Sequence, residues 1–303
     1  MDDAFALVAG DARVAVDAAA GGSLASFTFR GVDVLRPAPA ATRDVRASAC
    51  YPLVPYSNRI ANARVVFEGR DYELARNFGD HPHAIHGVGW QRSWTIESRD
   101  ESSALMTLHH VPDGEAARAW PWPFRARQSF SLRAARDDAG ALLVLKLTIA
   151  NPGASTFPFG LGWHPFFARR SVTKIGLRAR GVWQTDETRL PTVHTAVPPE
   201  WQFDPAREPG AVAIDNVFTG WDGEAVLTDR DRNIAVRLRA DRALRFLVVY
   251  AHEAGDFIAL EPVAQMTDAF NRAGRGERDT GTRVLTPGGA FSCTMEIEVR
   301  PLP

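Results

Sequence analysis

The chain has 303 residues, of which 45% are hydrophobic and 23% are charged. These fractions are typical of a globular protein with a sizeable core, and they exclude bulk disorder. The 35 basic and 36 acidic residues nearly cancel, to a formal charge of -1, so overall charge does not favour binding to nucleic acid or to an anionic membrane.

Alternation of apolar and polar residues predicts several antiparallel hairpins. In chain order, they span residues 64–74 around Glu68-Gly69, 94–109 around 99–102, and 124–149 around 136–140. Residues 246–250 and 257–260 are expected to be buried strands on either side of a loop at 252–255. The last predicted hairpin spans 284–299, with its turn at 287–289.

Helical periodicity is scarce, because no segment sustains an apolar stripe beyond about two turns. No repeat of about 20 to 50 residues, which would indicate a propeller or a solenoid, is visible. We therefore predict an all-β fold, a large antiparallel β-sandwich formed by a single domain over residues 1–303.

The two cysteines, Cys50 and Cys293, lie far apart in the sequence. A large core does not need the one disulfide they could form, so we interpret them as free thiols in a reducing compartment. The N-terminus is acidic where a signal peptide would be basic, and no apolar run has the length of a membrane span. We expect a cytoplasmic protein.

Polar residues that strand patterns do not require are concentrated in residues 51–94, 159–167 and 259–271. His81 and His83 would share one face of a strand, which raises a metal site as one interpretation. His86 would face the other way, so we favour solvated loop positions for His81 and His83 and expect no metal. Gly87 and Gly89 enclose His86 in a turn, which leaves room for a ligand.

His164 and Glu261 are candidate proton-transfer residues. His164 lies in an aromatic segment, as either a core histidine bonded to a backbone carbonyl or a desolvated imidazole that exchanges protons near neutral pH. Glu261 follows the apolar run 257–260, which predicts a carboxylate at the end of a buried strand. A carboxylate of this kind that faces a cleft is a candidate general base.

Five motifs stand in fixed order along the chain. They are Tyr-Ser-Asn-Arg-Ile-Ala-Asn at 56–62, His-Gly-Val-Gly-Trp at 86–90, Gly-Trp-His-Pro-Phe-Phe at 162–167, Asp-Asn-Val-Phe at 215–218, and Glu-Pro with Asp-Ala-Phe-Asn at 261–271. In order and spacing they resemble the aldose 1-epimerase (galactose mutarotase) family over nearly the whole chain. The resemblance implies a β-supersandwich that interconverts the α and β anomers of a free aldose without a metal or an organic cofactor.

The resemblance also implies a role for each matching position. Glu261 resembles the general base of the family, His164 its general acid, and His86 its second active-site histidine. Arg59 and Asp215 resemble its ligands for sugar hydroxyls.

A sugar site also needs an aromatic surface for the C–H faces of the ring and polar groups for its edges. We expect Asn58 to be one of the polar groups. Trp90 and Trp163 flank the histidines and are the predicted aromatic surface. For Trp94 and Phe166 we favour core packing.

The sequence leaves the substrate and some rival functions open. The galactose-specific branch of the family has Asn-His-x-Tyr-Phe-Asn around the acid histidine, which this chain lacks. A hexose-6-phosphate 1-epimerase would need only an added phosphate pocket. A non-catalytic carbohydrate sensor would be expected to lose Glu261 or His164, and a metal-dependent hydrolase would use His81 and His83. We expect a small-molecule sugar as partner, no nucleic acid or membrane, and a monomer or homodimer.

Overall fold

Strands and tight turns make up most of the computed structural model, which describes residues 3–40, 42, 44–135, 139–252 and 255–302. The strands are β1 (Ala4–Ala9), β2 (Ala12–Asp17), β3 (Ser23–Phe29), β4 (Val32–Leu35), β5 (Cys50–Leu53), β6 (Arg59–Ile60), β7 (Arg64–Phe67), β8 (Arg70–Glu73), β9 (Ala84–Ile85), β10 (Thr95–Arg99), β11 (Ser103–His110), β12 (Phe124–Ala134), β13 (Ala141–Ala150), β14 (Phe157–Phe159), β15 (Gly162–Ala168), β16 (Lys174–Leu177), β17 (Gly181–Thr185), β18 (Pro191–Ala196), β19 (Phe203–Arg207), β20 (Ile214–Thr219), β21 (Glu224–Asp229), β22 (Ile234–Ala240), β23 (Phe246–Ala251), β24 (Phe257–Val263), β25 (Arg283–Leu285) and β26 (Ala290–Arg300). Two short α-helices, α1 (Gly114–Ala119) and α2 (Ala269–Gly274), and four single-turn 3-10 helices join them in the described ranges.

Two large sheets organise these strands. The first has eleven strands in the order β1-β2-β3-β4-β15-β24-β23-β20-β17-β18, with β5 paired to β15 and β3. The second has nine strands in the order β10-β11-β12-β13-β26-β22-β21-β16-β19. Neighbouring strands run antiparallel in both sheets. Buried side chains from both sheets belong to one hydrophobic cluster, and the prediction of a large antiparallel β-sandwich is confirmed.

The predicted hairpins at 64–74, 94–109 and 124–149 are confirmed. In the longest one, β12 pairs with β13 and sets Phe130 opposite Leu145. Burial alternates along β12, as expected for a strand with one face toward the core. Residues 136–138 of its predicted turn lie outside the described residues.

The predicted hairpin at 284–299 is wrong. β26 lies in the middle of the second sheet, where β13 pairs with one edge of β26 and β22 pairs with the other. β25 therefore pairs elsewhere, with β14 in a separate two-stranded sheet. Strand pattern alone identified both strands but could not identify their neighbours.

The structure also bears on the cysteines and on the apolar character of the helices. Cys50 and Cys293 are both buried free thiols, as predicted. Among the described residues, none of the helices has the length and apolar character needed to cross a membrane.

Candidate active site

Two neighbouring strands of the larger sheet bring the candidate proton-transfer groups together. β15 pairs with β24 so that Phe166 lies opposite Ala259, and the same antiparallel register sets His164 opposite Glu261. Side chains at opposite positions of an antiparallel pair have Cβ atoms about 5 Å apart. The two side chains accordingly meet, with Nε2 of His164 3.2 Å from Oε1 of Glu261.

Glu261 lies inside its strand, contrary to the prediction that it ends one. β23 and β24 include the predicted spans 246–250 and 257–260, but β24 continues through Pro262 to Val263. Glu261 is thereby held between two strands, since β23 sets Val248 opposite it. Residues 253–254 of the predicted loop between the strands lie outside the described residues.

Burial shifts both members of the pair toward their neutral forms. Glu261 is 2% exposed and His164 is 7% exposed. Burial, followed by repulsion from Asp215, raises the pKa of Glu261 well above its ordinary value. Burial, followed by the positive charge of Arg36, lowers the pKa of His164 to about 3. In the form that burial favours, the imidazole is neutral and the one proton of the pair is on the carboxyl group of Glu261.

The pair also contains two unsatisfied polar atoms. Oε2 of Glu261 and Nδ1 of His164 are buried and make no hydrogen bond in the described part of the chain. Buried polar atoms are rarely left in this state. Two of the twelve buried side-chain atoms without a hydrogen bond in the described residues therefore belong to this one interacting pair.

His86 is held beside the pair by two backbone contacts with Asn58. The His86 amide donates to the Asn58 carbonyl at 2.9 Å, and the Asn58 amide donates to Nδ1 of His86 at 3.0 Å. Burial, followed by the nearby His164, lowers the pKa of His86 well below its ordinary value. Because Nδ1 accepts a hydrogen bond, the proton of this neutral imidazole is on Nε2. The His86 and His164 rings lie 5.5 Å apart.

Left-handed backbone conformations occur at three residues around this site. Asn58, His86 and Arg189 have φ values of 56°, 61° and 69°. Such conformations are uncommon outside glycine and are concentrated at functional sites. Three of the ten non-glycine residues with positive φ in the described ranges therefore line this cavity.

Gly87 and Gly89 do not leave space for a ligand, contrary to expectation. A Cβ atom at either glycine would collide with Val54, whose backbone and side chain pack directly against them. The carbonyl of Val54 also accepts hydrogen bonds from the Val88 and Gly89 amides, each at 3.0 Å. The glycines thus allow close packing of two chain segments, which fixes the turn that carries His86.

Arg59 and Asp215 form an ion pair, with Nη2 of Arg59 3.2 Å from Oδ2 of Asp215. Nη1 of Arg59 donates to the side-chain oxygen of Asn58 at 3.2 Å. The two ion-paired side chains are only 13% and 17% exposed. The structure therefore brings these three predicted substrate ligands into one network.

A cavity of about 460 Å³ connects these groups, a size within the usual range for small-molecule sites. Six of the eight predicted site residues line it: Asn58, Arg59, His86, His164, Asp215 and Glu261. The rest of its lining consists of Arg36, Arg46, Tyr51, Phe78, Ile85, Phe166, Arg189, Tyr250 and Phe257. The cavity therefore combines polar groups with aromatic surface.

The predicted aromatic surface of Trp90 and Trp163 is not part of this lining. Trp90 is 3% exposed and stacks behind Tyr51, with ring centroids 5.7 Å apart. Trp163 is 1% exposed, since neighbours on a strand point to opposite faces and His164 occupies the cavity side. Phe166, which we assigned to core packing, lines the cavity and stacks on the His164 ring at 4.3 Å.

Sequence reasoning missed several residues of the lining. Tyr51 lies opposite His164 in the pairing of β5 with β15, and its ring centroid is 4.8 Å from that of His164. Phe166 is two residues from His164 and shares its face, so strand periodicity could have identified it. No local signal distinguishes Arg36 or Arg189 from the many other arginines.

His81 and His83 lie outside the cavity lining. His83 is 2% exposed, so the prediction that it is solvated is wrong. Its Nδ1 accepts a hydrogen bond from the Asn62 amide at 2.9 Å. In the described ranges, no group of three or more His, Cys, Asp or Glu residues is arranged to hold a metal ion.

A second cavity, of about 530 Å³, is lined by residues that include Arg178, Trp201, Asp204 and Asp222. It is slightly larger than the first. None of the predicted site residues lines it, and its lining contains no histidine. The predicted proton-transfer residues His164 and Glu261 line the first cavity and not this one.

This chain is similar to known proteins along almost its whole length. A family model described as aldose 1-epimerase matches residues 3–298. The Escherichia coli protein YphB, whose function is uncharacterized, is 29% identical over 287 residues, which are 92% of this chain and 93% of that protein.

Solved structures are similar over nearly their full length. The crystal structure of a putative aldose 1-epimerase from Escherichia coli is 27% identical, has a TM-score of 0.87, and covers 99% of each chain. Galactose 1-epimerase from Lactobacillus acidophilus is 17% identical, with a TM-score of 0.72 over 96% of this chain and 92% of that one. The second similarity concerns the fold alone.

Proposed function

The chain belongs to the aldose 1-epimerase family, and from that premise we propose that it interconverts the α and β anomers of an aldose at the His164–Glu261 pair. The observation that carries the proposal is the 3.2 Å contact between an imidazole nitrogen and a carboxylate oxygen at the wall of the cavity. Mutarotation needs a base at the anomeric hydroxyl and an acid at the ring oxygen. These two oxygens are bonded to the same carbon, so the base and the acid must lie side by side.

Ring opening then requires two proton transfers. Glu261 takes the proton of the anomeric hydroxyl while His164 delivers a proton to the ring oxygen, and the bond between C1 and the ring oxygen breaks to leave an aldehyde. Rotation about the C1–C2 bond presents the other carbonyl face. Reclosure reverses both transfers and gives the other anomer, with each positioned group contributing about 10²- to 10⁴-fold to the rate.

One shared proton is sufficient for this cycle. A carboxylate beside an imidazolium and a carboxylic acid beside a neutral imidazole contain the same number of protons, and ring opening converts the first form into the second. Burial favours the second form in the resting site. Transfer of the proton from Glu261 to His164 along their 3.2 Å contact restores the form that opens the ring.

The remaining groups bind and orient the sugar in this proposal. The Nε2–H of His86 donates to a ring hydroxyl, because its Nδ1 is already occupied by the Asn58 amide. The ion pair of Arg59 and Asp215 provides charged partners for further hydroxyls. Tyr250 and Phe257, which line the cavity and are partly exposed, supply aromatic surface for the C–H side of the ring.

NMR or polarimetry of freshly dissolved α-anomers tests the proposal directly. We expect the wild-type protein to accelerate equilibration of at least one aldose in a panel of hexoses, pentoses and their charged derivatives. Binding without acceleration for every sugar would instead support a carbohydrate sensor. Since the pair supplies both proton transfers, we further propose that no cofactor is needed, and dialysis against a strong chelator should leave the rate unchanged.

A further inference from the structure

Positive charge exceeds negative charge around the cavity. Four arginines line it, Arg36, Arg46, Arg59 and Arg189, against two acidic residues, Asp215 and Glu261. Arg46 is neutralised by Asp44, with Nη2 of the arginine 2.7 Å from a carboxylate oxygen. The positive charge of the site therefore comes from Arg36, Arg59 and Arg189.

Arg59 and Arg189 share a single carboxylate. Oδ2 of Asp215 lies 3.2 Å from Nη2 of Arg59 and 3.8 Å from Nε of Arg189. The nearer arginine takes the stronger contact, and the side chain of Arg189 remains 52% exposed. One positive charge at this side of the cavity is therefore left without a full partner.

Arg36 has no acidic hydrogen-bond partner among the described residues. Its Nη2 donates to the carbonyls of Arg46 and Ser48 at 2.9 and 3.0 Å, while Nε is buried without a partner. Its guanidinium lies over the rings of Phe166 and Phe257, 4.0 and 4.4 Å from their centroids. A guanidinium fixed between two rings at a cavity wall is preorganised for an anion.

Arg36 is also close to the reacting pair. The ring of Phe166 contacts both the guanidinium of Arg36, at 4.0 Å, and the ring of His164, at 4.3 Å. The sum of those two distances is the upper limit for the separation of guanidinium and imidazole. One sugar ring with an exocyclic substituent can span such a distance.

We propose that the substrate is an aldose with an anionic group, a carboxylate, phosphate or sulfate, on a carbon remote from C1. Arg36 binds the anion, and Arg189 adds to the attractive field at the mouth of the cavity. This inference rests on the proposed function, since His164 and Glu261 fix the position of C1. A neutral sugar could fill the cavity, but it would leave Arg36 with the attraction of Asp256, which makes no hydrogen bond to it in the described residues, and Arg189 with a shared carboxylate.

Matched pairs of sugars test this substrate class. We expect kcat/KM for at least one of glucuronic acid, galacturonic acid, glucose 6-phosphate and glucose 6-sulfate to exceed that of its neutral parent by about tenfold or more. The preference should shrink between about 0.01 M and about 1 M salt, over which the screening length falls from about 30 Å to about 3 Å. The charged sugar whose kcat/KM exceeds that of its neutral parent by the largest factor identifies the preferred anionic group.

Substitutions assign the effect to Arg36. Arg36→Gln should reduce the charged-to-neutral ratio of kcat/KM by about tenfold or more, and Arg36→Lys should restore part of it. Because Arg36 also donates hydrogen bonds to backbone carbonyls, its substitution could destabilise the fold. The melting temperature of each Arg36 variant must therefore be measured as well. Arg189→Gln, a change at an exposed side chain, should reduce the ratio less and flatten its salt dependence. Arg133→Gln removes an exposed arginine that does not line the cavity and should leave the ratio unchanged.

The two proposals fail in different ways. If neutral aldoses are epimerised as efficiently as every charged counterpart, or if Arg36→Gln leaves the ratio unchanged in a folded protein, the anionic substrate class is refuted while the epimerase function stands. If no sugar of either kind is epimerised, the proposed function itself is refuted.

Discussion

Two buried carboxylates in this molecule have opposite surroundings. Asp229, at the end of β21, is 1% exposed and accepts hydrogen bonds from Nε of Arg170 at 3.0 Å and Nε of Arg232 at 2.8 Å. Glu261, inside β24, is 2% exposed, and in the described part of the chain its one ion-pair contact is with the imidazole of His164. Equal burial thus accompanies a saturated carboxylate in one place and an unsatisfied carboxylate in the other.

The contrast separates a structural role from a chemical one. Burial alone would raise the pKa of Asp229, but hydrogen bonds from Arg170 and Arg232 outweigh it and hold that pKa below its ordinary value of 3.8. At Glu261 burial and repulsion from Asp215 act in the same direction, and the pKa rises above 4.5. A saturated carboxylate stabilises the fold, whereas an unsatisfied one retains affinity for a proton that substrate can supply.

The largest expected effect is on catalysis, from Glu261→Gln. We expect kcat to fall by about 10² or more, because the amide cannot accept the proton of the anomeric hydroxyl. The melting temperature should not fall, since a neutral side chain replaces one that burial already disfavours as an anion. Anomer exchange followed by NMR, alongside thermal unfolding, checks both. Glu115→Gln, at an exposed position of α1, is the matched control and should keep wild-type turnover. Near-normal turnover of Glu261→Gln would show that Glu261 is not the base.

The reverse pattern is expected for Asp229→Asn. The loss of charge leaves Arg170 and Arg232 without their carboxylate and should cost about 3 kcal/mol of unfolding free energy. Each kcal/mol lowers the melting temperature of a chain of this size by roughly 1.5–2 °C. Turnover per folded molecule should be unchanged. An unaltered melting temperature would show that the two carboxylates do not differ as described.

Smaller losses are expected at the Arg59–Asp215 pair. Arg59→Ala or Asp215→Asn should each weaken transition-state binding by about 1–3 kcal/mol, because each removes a charge-assisted hydrogen bond to the sugar. That loss corresponds to a fall in kcat/KM of about 5- to 150-fold. Steady-state kinetics and melting temperatures distinguish this role from that of a structural ion pair. A sharp fall in melting temperature with unchanged kinetics would favour the structural role.

The pH dependence of stability should have opposite signs at the two carboxylates. Asp229, with a lowered pKa, stabilises the fold above 3.8, and this contribution is lost as the pH falls, so Asp229→Asn should cost less in acid. The raised pKa of Glu261 means that the folded chain retains a proton which the unfolded chain loses above 4.5. Wild type should therefore lose stability relative to Glu261→Gln as the pH rises. Denaturant unfolding of wild type and Asp229→Asn below pH 3.8, and of wild type and Glu261→Gln above pH 4.5, checks the two signs. A stability difference that does not change with pH in either range would contradict the sign for that carboxylate.

Local patterns predicted much of the fold but not the partners of every strand. Alternation identified β12 and β13 and their hairpin, since the turn joins adjacent segments. It failed for β25 and β26, because both edges of β26 are taken by strands that are distant in sequence. Pairing across a sheet is a property of the whole topology.

The same distinction holds for the site. His164 and Glu261 were identifiable because an ionisable group in an apolar strand is unusual at any position. The choice of Trp163 failed, since adjacent residues on a strand face opposite sides. Arg36 was missed because its significance comes from Phe166 and from the absence of an acidic hydrogen-bond partner in the described residues, and neither can be read from its neighbours in the sequence.

The pH dependence of kcat/KM tests the shared proton of His164 and Glu261 most directly. With a neutral aldose and correction for spontaneous mutarotation, kcat/KM should stay level from about pH 7 down to about pH 5, because the pair gains a second proton only near the lowered pKa of His164, about 3. A tenfold fall per unit below pH 6.5, the ordinary pKa of an imidazole, would instead show that the pair already takes up a second proton there, and would contradict the account.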